Sequence, residues 1–330
     1  MEPILIAVVA VALIFDYTNG FHDAANAVAT SISTRAVPPN VALAGAAVLN
    51  LVGALVSTHV AVTVAGGIVE AEAVTSPVLL GGLVGAIAWN LLTWWWAIPS
   101  SSSHCLIGGV AGAVLATAGG DFVKWSGLVN KVLVPTLIAP LIGFTVGVLI
   151  MVVLLWIFRN AQPARAQRRF RIAQLASASM MAFGHGSNDA QKTMGVITLA
   201  LFATGTIPAL EVPQWVKIAS AVTIGLGTYS GGKRIIRTLG MRLVKLTPVQ
   251  GFAAETSASA VLLGTAFMGF PISTTHVITS SVMGVGATER ASAVKWGLSL
   301  DIFVAWIVTF PAAAVIGGLC AIAAQAISAG

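Results

Sequence analysis

Two short polar stretches interrupt an otherwise apolar chain. One is Gly20-Phe21-His22-Asp23-Ala24-Ala25-Asn26-Ala27, and the other is Gly184-His185-Gly186-Ser187-Asn188-Asp189-Ala190-Gln191-Lys192. Asp23 and Asn26 stand three residues apart, as do Asp189 and Lys192, which puts each pair on one face of a helix. A carboxylate inside a bilayer is costly, and where one persists it marks an ion or substrate path. A second pair of motifs is rich in hydroxyls: Pro99-Ser100-Ser101-Ser102-Ser103-His104 and Pro271-Ile272-Ser273-Thr274-Thr275-His276. Proline ends one helix and a hydroxyl caps the next, so each motif is expected at the tip of a helical hairpin. A helix that starts at membrane depth aims free N–H groups and its positive dipole end into the cavity. That end suits an oxyanion, with the hydroxyls as further donors. Paired tips beside paired acids predict a site for a tetrahedral oxyanion.

Charge then dictates the company the anion keeps. Asp23, Asp189 and a divalent oxyanion would together carry about four negative charges in a low-dielectric cavity, so protons or Na+ must accompany them. Asp23, Asp189, Asn188 and Glu255 are the candidates for the coupling cation. Were it Na+, the ligands would be Asp23, Asn26, Asn188 and Asp189, together with carbonyls freed by a break in each signature helix. The candidates for the anion are Asn26, Ser101, Ser102, Ser103, Ser273, Thr274 and Thr275. Lys192 fills the slot that Asn26 holds in the first motif. There it is a tethered cation that neutralises an acid or touches the anion. The chemistry is symport by charge compensation. Simpler roles compete: helix capping for the serines, interhelical hydrogen bonds for Asn26 and Asn188, and structural bonds for His104 and His276. Asp16 and Asp301 have no counterpart in the other half, and the tryptophans read as interface anchors.

The elements that must position these residues follow from composition. The chain has 330 residues, 57% of them hydrophobic and 8% charged, with a mean hydropathy of +0.93. That excludes a soluble globular protein and gives an all-α polytopic membrane protein. The first apolar segment follows Met1-Glu2-Pro3 without a basic n-region, so it is read as a membrane helix and not as a signal peptide. The net charge of +6 is clustered at Arg159, Arg165, Arg168, Arg169 and Arg171, and again at Lys233, Arg234, Arg237, Arg242 and Lys245. This pattern speaks for membrane topology and against nucleic-acid binding, and the positive-inside rule places both clusters in the cytoplasm. Two cysteines, Cys105 and Cys320, support neither a disulfide framework nor a metal site.

Acid motif, hydroxyl motif and a Val-Lys-Trp triplet (123–125 and 294–296) recur in the same order. The chain divides into repeats 1–158 and 172–330, joined by a cytoplasmic arginine-rich linker, 159–171. Spans are expected near 4–30, 41–69 and 132–157, then near 173–204, 215–231 and 297–325. Re-entrant hairpins are expected around Ser100 (arms 77–98 and 103–119) and around Pro271. An odd number of crossings per repeat inverts one relative to the other, with both termini outside. That is the plan of secondary transporters, with the site near the midplane at the repeat interface.

The run Thr18–Thr30, which contains Asn19-Gly20-Phe21-His22-Asp23-Ala24-Ala25-Asn26, resembles the signature of the inorganic phosphate transporter (PiT) family. Gly184–Lys192 is similar to its second copy, and Pro99–His104 and Pro271–His276 resemble its hairpin turns. The resemblance implies an inverted-repeat symporter of the plasma (inner) membrane that imports phosphate with Na+ or H+. The signature acids would serve the coupling ion, and the hairpin hydroxyls would hold phosphate. Sodium-coupled members carry Asn where this chain has His22, a version that resembles the bacterial low-affinity, proton-coupled members, whose substrate can be a neutral metal–phosphate complex. A sulfate permease of the same fold is the nearest alternative. An intramembrane serine hydrolase, with Ser101 or Ser103 as nucleophile and His104 as base, is a distant one, since neither Gly-x-Ser-x-Gly nor His-Glu-x-x-His occurs. The expected partners are phosphate, Na+ or H+ and membrane lipid, with homo-oligomerisation left open. No cofactor and no catalytic residue is expected.

Overall fold

The computed structural model describes residues 2–329, and helices account for nearly all of them. The one departure toward β-structure among the described residues is an isolated bridge, Val69–Val123. In chain order the helices are α1 (Pro3–Ser33), α2 (Pro39–Ala54), α3 (His59–Gly67), α4 (Ser76–Trp95) and α5 (Ser102–Thr117). A short α6 (Trp125–Gly127) passes through a π-turn into α7 (Val134–Ile157). Then come α8 (Pro163–Ala203), α9 (Gln214–Ser230), α10 (Lys233–Arg237), α11 (Pro248–Phe267), α12 (Thr274–Ala287) and α13 (Trp296–Ala329). Proline stands in the first turn of α1, α2, α4, α7, α8 and α11, where its missing N–H is not needed and its φ is already helical.

Four stretches are long and apolar enough to cross a membrane: Pro3–Ser33, Ser76–Trp95, Trp125–Ile157 and Trp296–Ser328. Much of their surface is meant for lipid, with Leu137, Leu141, Trp156, Leu300 and Leu319 exposed. α8 is long enough but is not in that set. Its middle carries His185, Ser187, Asn188, Asp189, Gln191 and Lys192, all of them buried. These polar groups face protein, which is the arrangement that a bilayer tolerates.

Three expectations need correction. First, neither signature motif breaks its helix: α1 and α8 run without interruption through Asp23 and Asp189. Neither run holds a proline, and Ala24, Ala25, Ala27 and Ala29 are strong helix formers. Glycine serves close approach instead. A Cβ on Gly20 would meet Ile224 O at 2.6 Å, and one on Gly186 would meet Asn50 O at 2.1 Å. These two positions seat α1 against α9 and α8 against α2. Second, the break falls elsewhere, in the expected span 41–69, where α2 and α3 meet at 68°. The Gln191 side chain accepts from Val60 N (2.9 Å) and Ala61 N (3.3 Å), capping the restarted helix from across the protein. Third, α8, the helix of the span expected near 173–204, begins earlier, at Pro163, and takes in most of the linker 159–171. At about 1.5 Å per residue its 41 residues run roughly 60 Å, about twice the hydrocarbon thickness, so exposed Arg165, Arg168, Arg169 and Arg171 lie on an overhanging end.

The closing helix of each half is exchanged. α13 packs against α4 and α5 of the first half, while α7 packs against α11 and α12 of the second. The junctions before these helices match in detail. Lys124 N donates to Ile68 O (3.0 Å), and Lys295 N donates to Leu243 O (3.1 Å). Trp125 Nε1 donates to Gly120 O (2.9 Å), and Trp296 Nε1 donates to Ala291 O (2.8 Å).

Candidate functional site

At about 1.5 Å per residue, α5 and α12 are only some 24 and 21 Å long, and both start inside the protein. Every residue of Ser100–His104 and of Ile272–His276 is buried. An interior helix start must satisfy its own free N–H groups, and here a serine does so in each copy. Ser101 Oγ accepts from His104 N (3.2 Å), and Ser273 Oγ accepts from His276 N (3.3 Å). Of the hydroxyls expected at the substrate, these two are therefore held as N-caps.

The two tips touch: Ser103 Oγ donates to Ile272 O at 3.1 Å. Each is pinned from behind by an exchanged helix. Trp306 Nε1 of α13 donates to Pro99 O (3.1 Å), and the His276 ring stacks on Trp306 with centroids 3.9 Å apart. His104 Nε2 lies 3.0 Å from Thr136 Oγ1 of α7. Both histidines therefore brace the tips. With its Nε2 engaged at Thr136, the His104 ring pairs with neither Ser101 nor Ser103, so the nucleophile–base pair of the hydrolase alternative is not formed.

At the next position of each tip, after the capping serine, a hydroxyl meets an acid with two-fold regularity. Ser102 Oγ donates to Asp23 Oδ2, and its counterpart Thr274 Oγ1 donates to Asp189 Oδ2 (3.0 Å). Three residues after each acid, a side chain crosses to the other half's tip. Asn26 Nδ2 donates to Thr274 Oγ1 (3.1 Å) and Thr275 Oγ1 (2.9 Å), and Lys192 Nζ donates to Ser103 Oγ (2.5 Å) while also holding Ile272 O (2.9 Å) of its own half's tip. Thr275 Oγ1 also reaches Asp23 Oδ1 at 3.4 Å. Lys192 additionally binds its own Asp189. Ligand atoms of Asp23, Asp189 and His185 all lie within 4.8 Å of one another. The two acids are thus one centre, closed over by two tips.

Histidines orient both carboxylates. His22 Nδ1 donates to Asp23 Oδ1 at 2.7 Å, while its Nε2 sits 3.2 Å from Thr93 Oγ1 and 3.4 Å from Ser100 Oγ. His185 Nε2 lies 3.1 Å from Asp189 Oδ2, within ion-pair range but out of line for a hydrogen bond, and its Nδ1 faces Asn50 Oδ1 at 3.2 Å. The structure therefore brings together Asp23, Asn26, Ser102, Ser103, Asp189, Lys192, Thr274 and Thr275. Asn188 lies at its edge, with Nδ2 donating to Phe270 O at 3.4 Å. Asn26 Oδ1 and Asn188 Oδ1 are buried acceptors without a donor, as the ligands of a hard cation would be.

Glu255 is elsewhere. It is fully buried and accepts from Thr30 Oγ1 (2.6 Å), Gln174 Nε2 (3.0 Å) and Ser177 Oγ (2.5 Å), two turns along α1 from Asp23. Thr30, Gln174, Ser177, Thr93 and Gln191 escaped the sequence reading. Thr30 alone left a signal there, since Asp16, Asn19, Asp23, Asn26 and Thr30 follow one another at intervals of 3, 4, 3 and 4, a single stripe along a helix.

Comparison with known proteins agrees with this architecture. Residues 19–317 match the model of a family described as the phosphate transporter family. A probable low-affinity inorganic phosphate transporter of Rhizobium meliloti (strain 1021) is 46% identical over 99% of this chain and 98% of its own. Proteins of the same description from Mycobacterium tuberculosis (strain ATCC 25618 / H37Rv) and Bacillus subtilis (strain 168) are 50% and 42% identical over 95% of this chain, covering 76% and 95% of their own lengths. A solved structure, the sodium-dependent phosphate transporter, superposes with a TM-score of 0.87 over 98% of this chain and 99% of that one, at 23% identity, and so shares the fold. With relatives that are transporters and not enzymes, and with a family match spanning both acids and both tips, the chain belongs to the phosphate transporter family.

Proposed function

We propose that this protein imports inorganic phosphate together with a cation, Na+ or H+, across the plasma membrane. The observation that carries the reading is the paired closure of the tips: Ser102 on Asp23 and Thr274 on Asp189, with Asn26 and Lys192 each reaching across to the other tip. The relatives' description as inorganic phosphate transporters supports the substrate, and the neighbour's description as sodium-dependent supports a coupling cation.

Coupling follows from which atoms the hydroxyls serve. With both carboxylates bare, the Ser102 and Thr274 hydroxyls are spent on them. A cation that neutralises Asp23 or Asp189, whether a proton or Na+ bridged to Asn26 Oδ1 and Asn188 Oδ1, releases those hydroxyls. Together with the amino ends of α5 and α12 and the Lys192 ammonium, they then present donors to phosphate. Anion without cation meets uncompensated carboxylates, and cation without anion leaves the donors unserved. Each ligand prepares the other's site.

In this reading 1–158 and 172–330 are inverted repeats, with both termini outside and both basic clusters in the cytoplasm. The element order supports it, as do the matched Lys124 and Lys295 junctions. The test is uptake of labelled phosphate into proteoliposomes with Na+ and proton gradients imposed separately, with sulfate and divalent metal as competitor and cosubstrate arms. Accumulation against the phosphate gradient is expected only with a cation gradient, and Asp23→Asn and Asp189→Asn each abolish it. Equal accumulation with no cation gradient, or full accumulation by either variant, refutes the reading.

A further inference from the structure

The paired centre leaves a third buried acid unused. Asp16 lies seven residues before Asp23, two turns and about 10 Å along the same face of α1. It is 0% exposed. Thr193 Oγ1 of α8 donates to its Oδ1 at 2.9 Å, and its Oδ2 has no partner. Asn19 stands on the same stripe between the two acids, 1% exposed, with its Oδ1 also unpartnered. No cationic side chain pairs with Asp16 among the described residues. The charged groups that act on it are Asp189 and Lys192 of α8, and Lys192 is already committed to Asp189 and the tips.

A bare carboxylate with a single neutral donor is not a stable interior group, since burial of an unpaired charge costs far more than one hydroxyl bond returns. Something positive belongs there. The available atoms are all oxygens: the free Asp16 Oδ2, Asn19 Oδ1 one turn away, and the Thr193 hydroxyl. Oxygen donors from carboxylate, amide and hydroxyl suit a small hard cation, and a proton on Oδ2 would equally neutralise the carboxylate and give it a donor.

We propose that Asp16, Asn19 and Thr193 form a cation station distinct from the Asp23–Asp189 centre, where the coupling cation is taken up before it reaches that centre. The stripe that continues through Asp23 and Asn26 ends at Thr30, which donates to Glu255 on the far side, so Asp16 is the opposite end of a row of oxygens. This rests on the symport reading above. In the proposed orientation the station lies on the N-terminal, outward side of Asp23 along α1, the side from which an importer's cation arrives.

The test uses purified full-length protein in two settings. In proteoliposomes, phosphate uptake is driven by Na+ at fixed pH in one arm and by protons without Na+ in the other. In detergent without phosphate, thermal unfolding is followed against Na+ and against pH. Asp16→Asn is expected to raise the cation concentration for half-maximal uptake at least tenfold in whichever arm drives the wild type. The phosphate KM at saturating cation should stay within twofold. Asn19→Ala and Thr193→Val should move the same quantity about threefold, and Asp16→Glu should bring it back to within threefold of wild type. A cation dependence in Asp16→Asn equal to wild type overturns the proposal. Should that variant not fold, Asn19→Ala and Thr193→Val decide by the same readout. Should the wild type carry no phosphate, the symport reading fails, and the phosphate-free arm judges the station separately. A cation-dependent melting shift diminished in Asp16→Asn supports it, and an undiminished one overturns it.

Discussion

Lys192→Gln tests the centre where its symmetry is broken. The ammonium is 1% exposed and makes bonds to Asp189, Ser103 Oγ and Ile272 O. Glutamine keeps most of the length and can donate to Ser103, but it leaves Asp189 with Thr274 and His185 alone. Removing one partner of a buried ion pair costs about 3–5 kcal/mol, because the other charge stays behind. Here the protein has a way out, since a further coupling cation can take the vacated place. At about 1.4 kcal/mol per tenfold, a penalty of about 3–5 kcal/mol would strengthen cation binding by about 140- to 3,700-fold if the cation recovered all of it. The expected phenotype is a variant that is unstable without coupling cation, regains stability at cation concentrations far below those the wild type needs, and moves about one more cation per phosphate. Unfolding of purified protein against Na+ and pH reads the first two, and the flux ratio at the reversal potential reads the third. If Lys192→Gln melts like the wild type without cation and keeps both its cation-to-phosphate ratio and its phosphate affinity, the charge-compensation reasoning is wrong.

Ser102→Ala and Thr274→Val each remove a hydroxyl that serves first a carboxylate and then the anion. A hydrogen bond to a charged group is worth about 1.5–3 kcal/mol, so phosphate KM should rise by tenfold or more in saturating cation, which competition uptake measures. Gly186→Ala would put a methyl 2.1 Å from Asn50 O, so α8 must retreat from α2. Overpacking of this kind costs about 1–3 kcal/mol, and a lower melting temperature with reduced uptake is expected. Trp306→Phe keeps the stack on His276 but loses the bond to Pro99 O. It should lower the maximal rate more than it changes phosphate KM, since the first tip loses its brace and not its ligands.

The acids, the tips and their repetition were legible because each is a local departure from an apolar background, and a polar residue in such a setting announces itself. The hairpin arms were also readable, with α4 and α5 ending within a few residues of the expected limits. What escaped depends on partners far away in the chain. The 68° turn between α2 and α3 has no proline at its corner. It is closed by Gln191, about 130 residues distant, whose amide looks ordinary in sequence. The expected helix breaks failed for the converse reason. Gly20 and Gly186 look like interruptions, yet their missing side chains make room for a neighbouring backbone. Likewise Glu255 stood out in sequence, but nothing there assigned it Thr30, Gln174 and Ser177 in place of the central site.

The exchange of α7 and α13 governs how this protein can be made. The first hairpin emerges early in synthesis, but the helix that braces it, through Trp306 and the length of α13, emerges about 200 residues later. Until then the Pro99–Ser103 tip has no Trp306 behind it, and the partners of Ser103, Lys192 and the Ile272 carbonyl, arrive only with the second half of the chain. Partly made chains therefore cannot assemble a working path. The first tip is thus completed in stages set by chain order, gaining Lys192, then Ile272 and last Trp306.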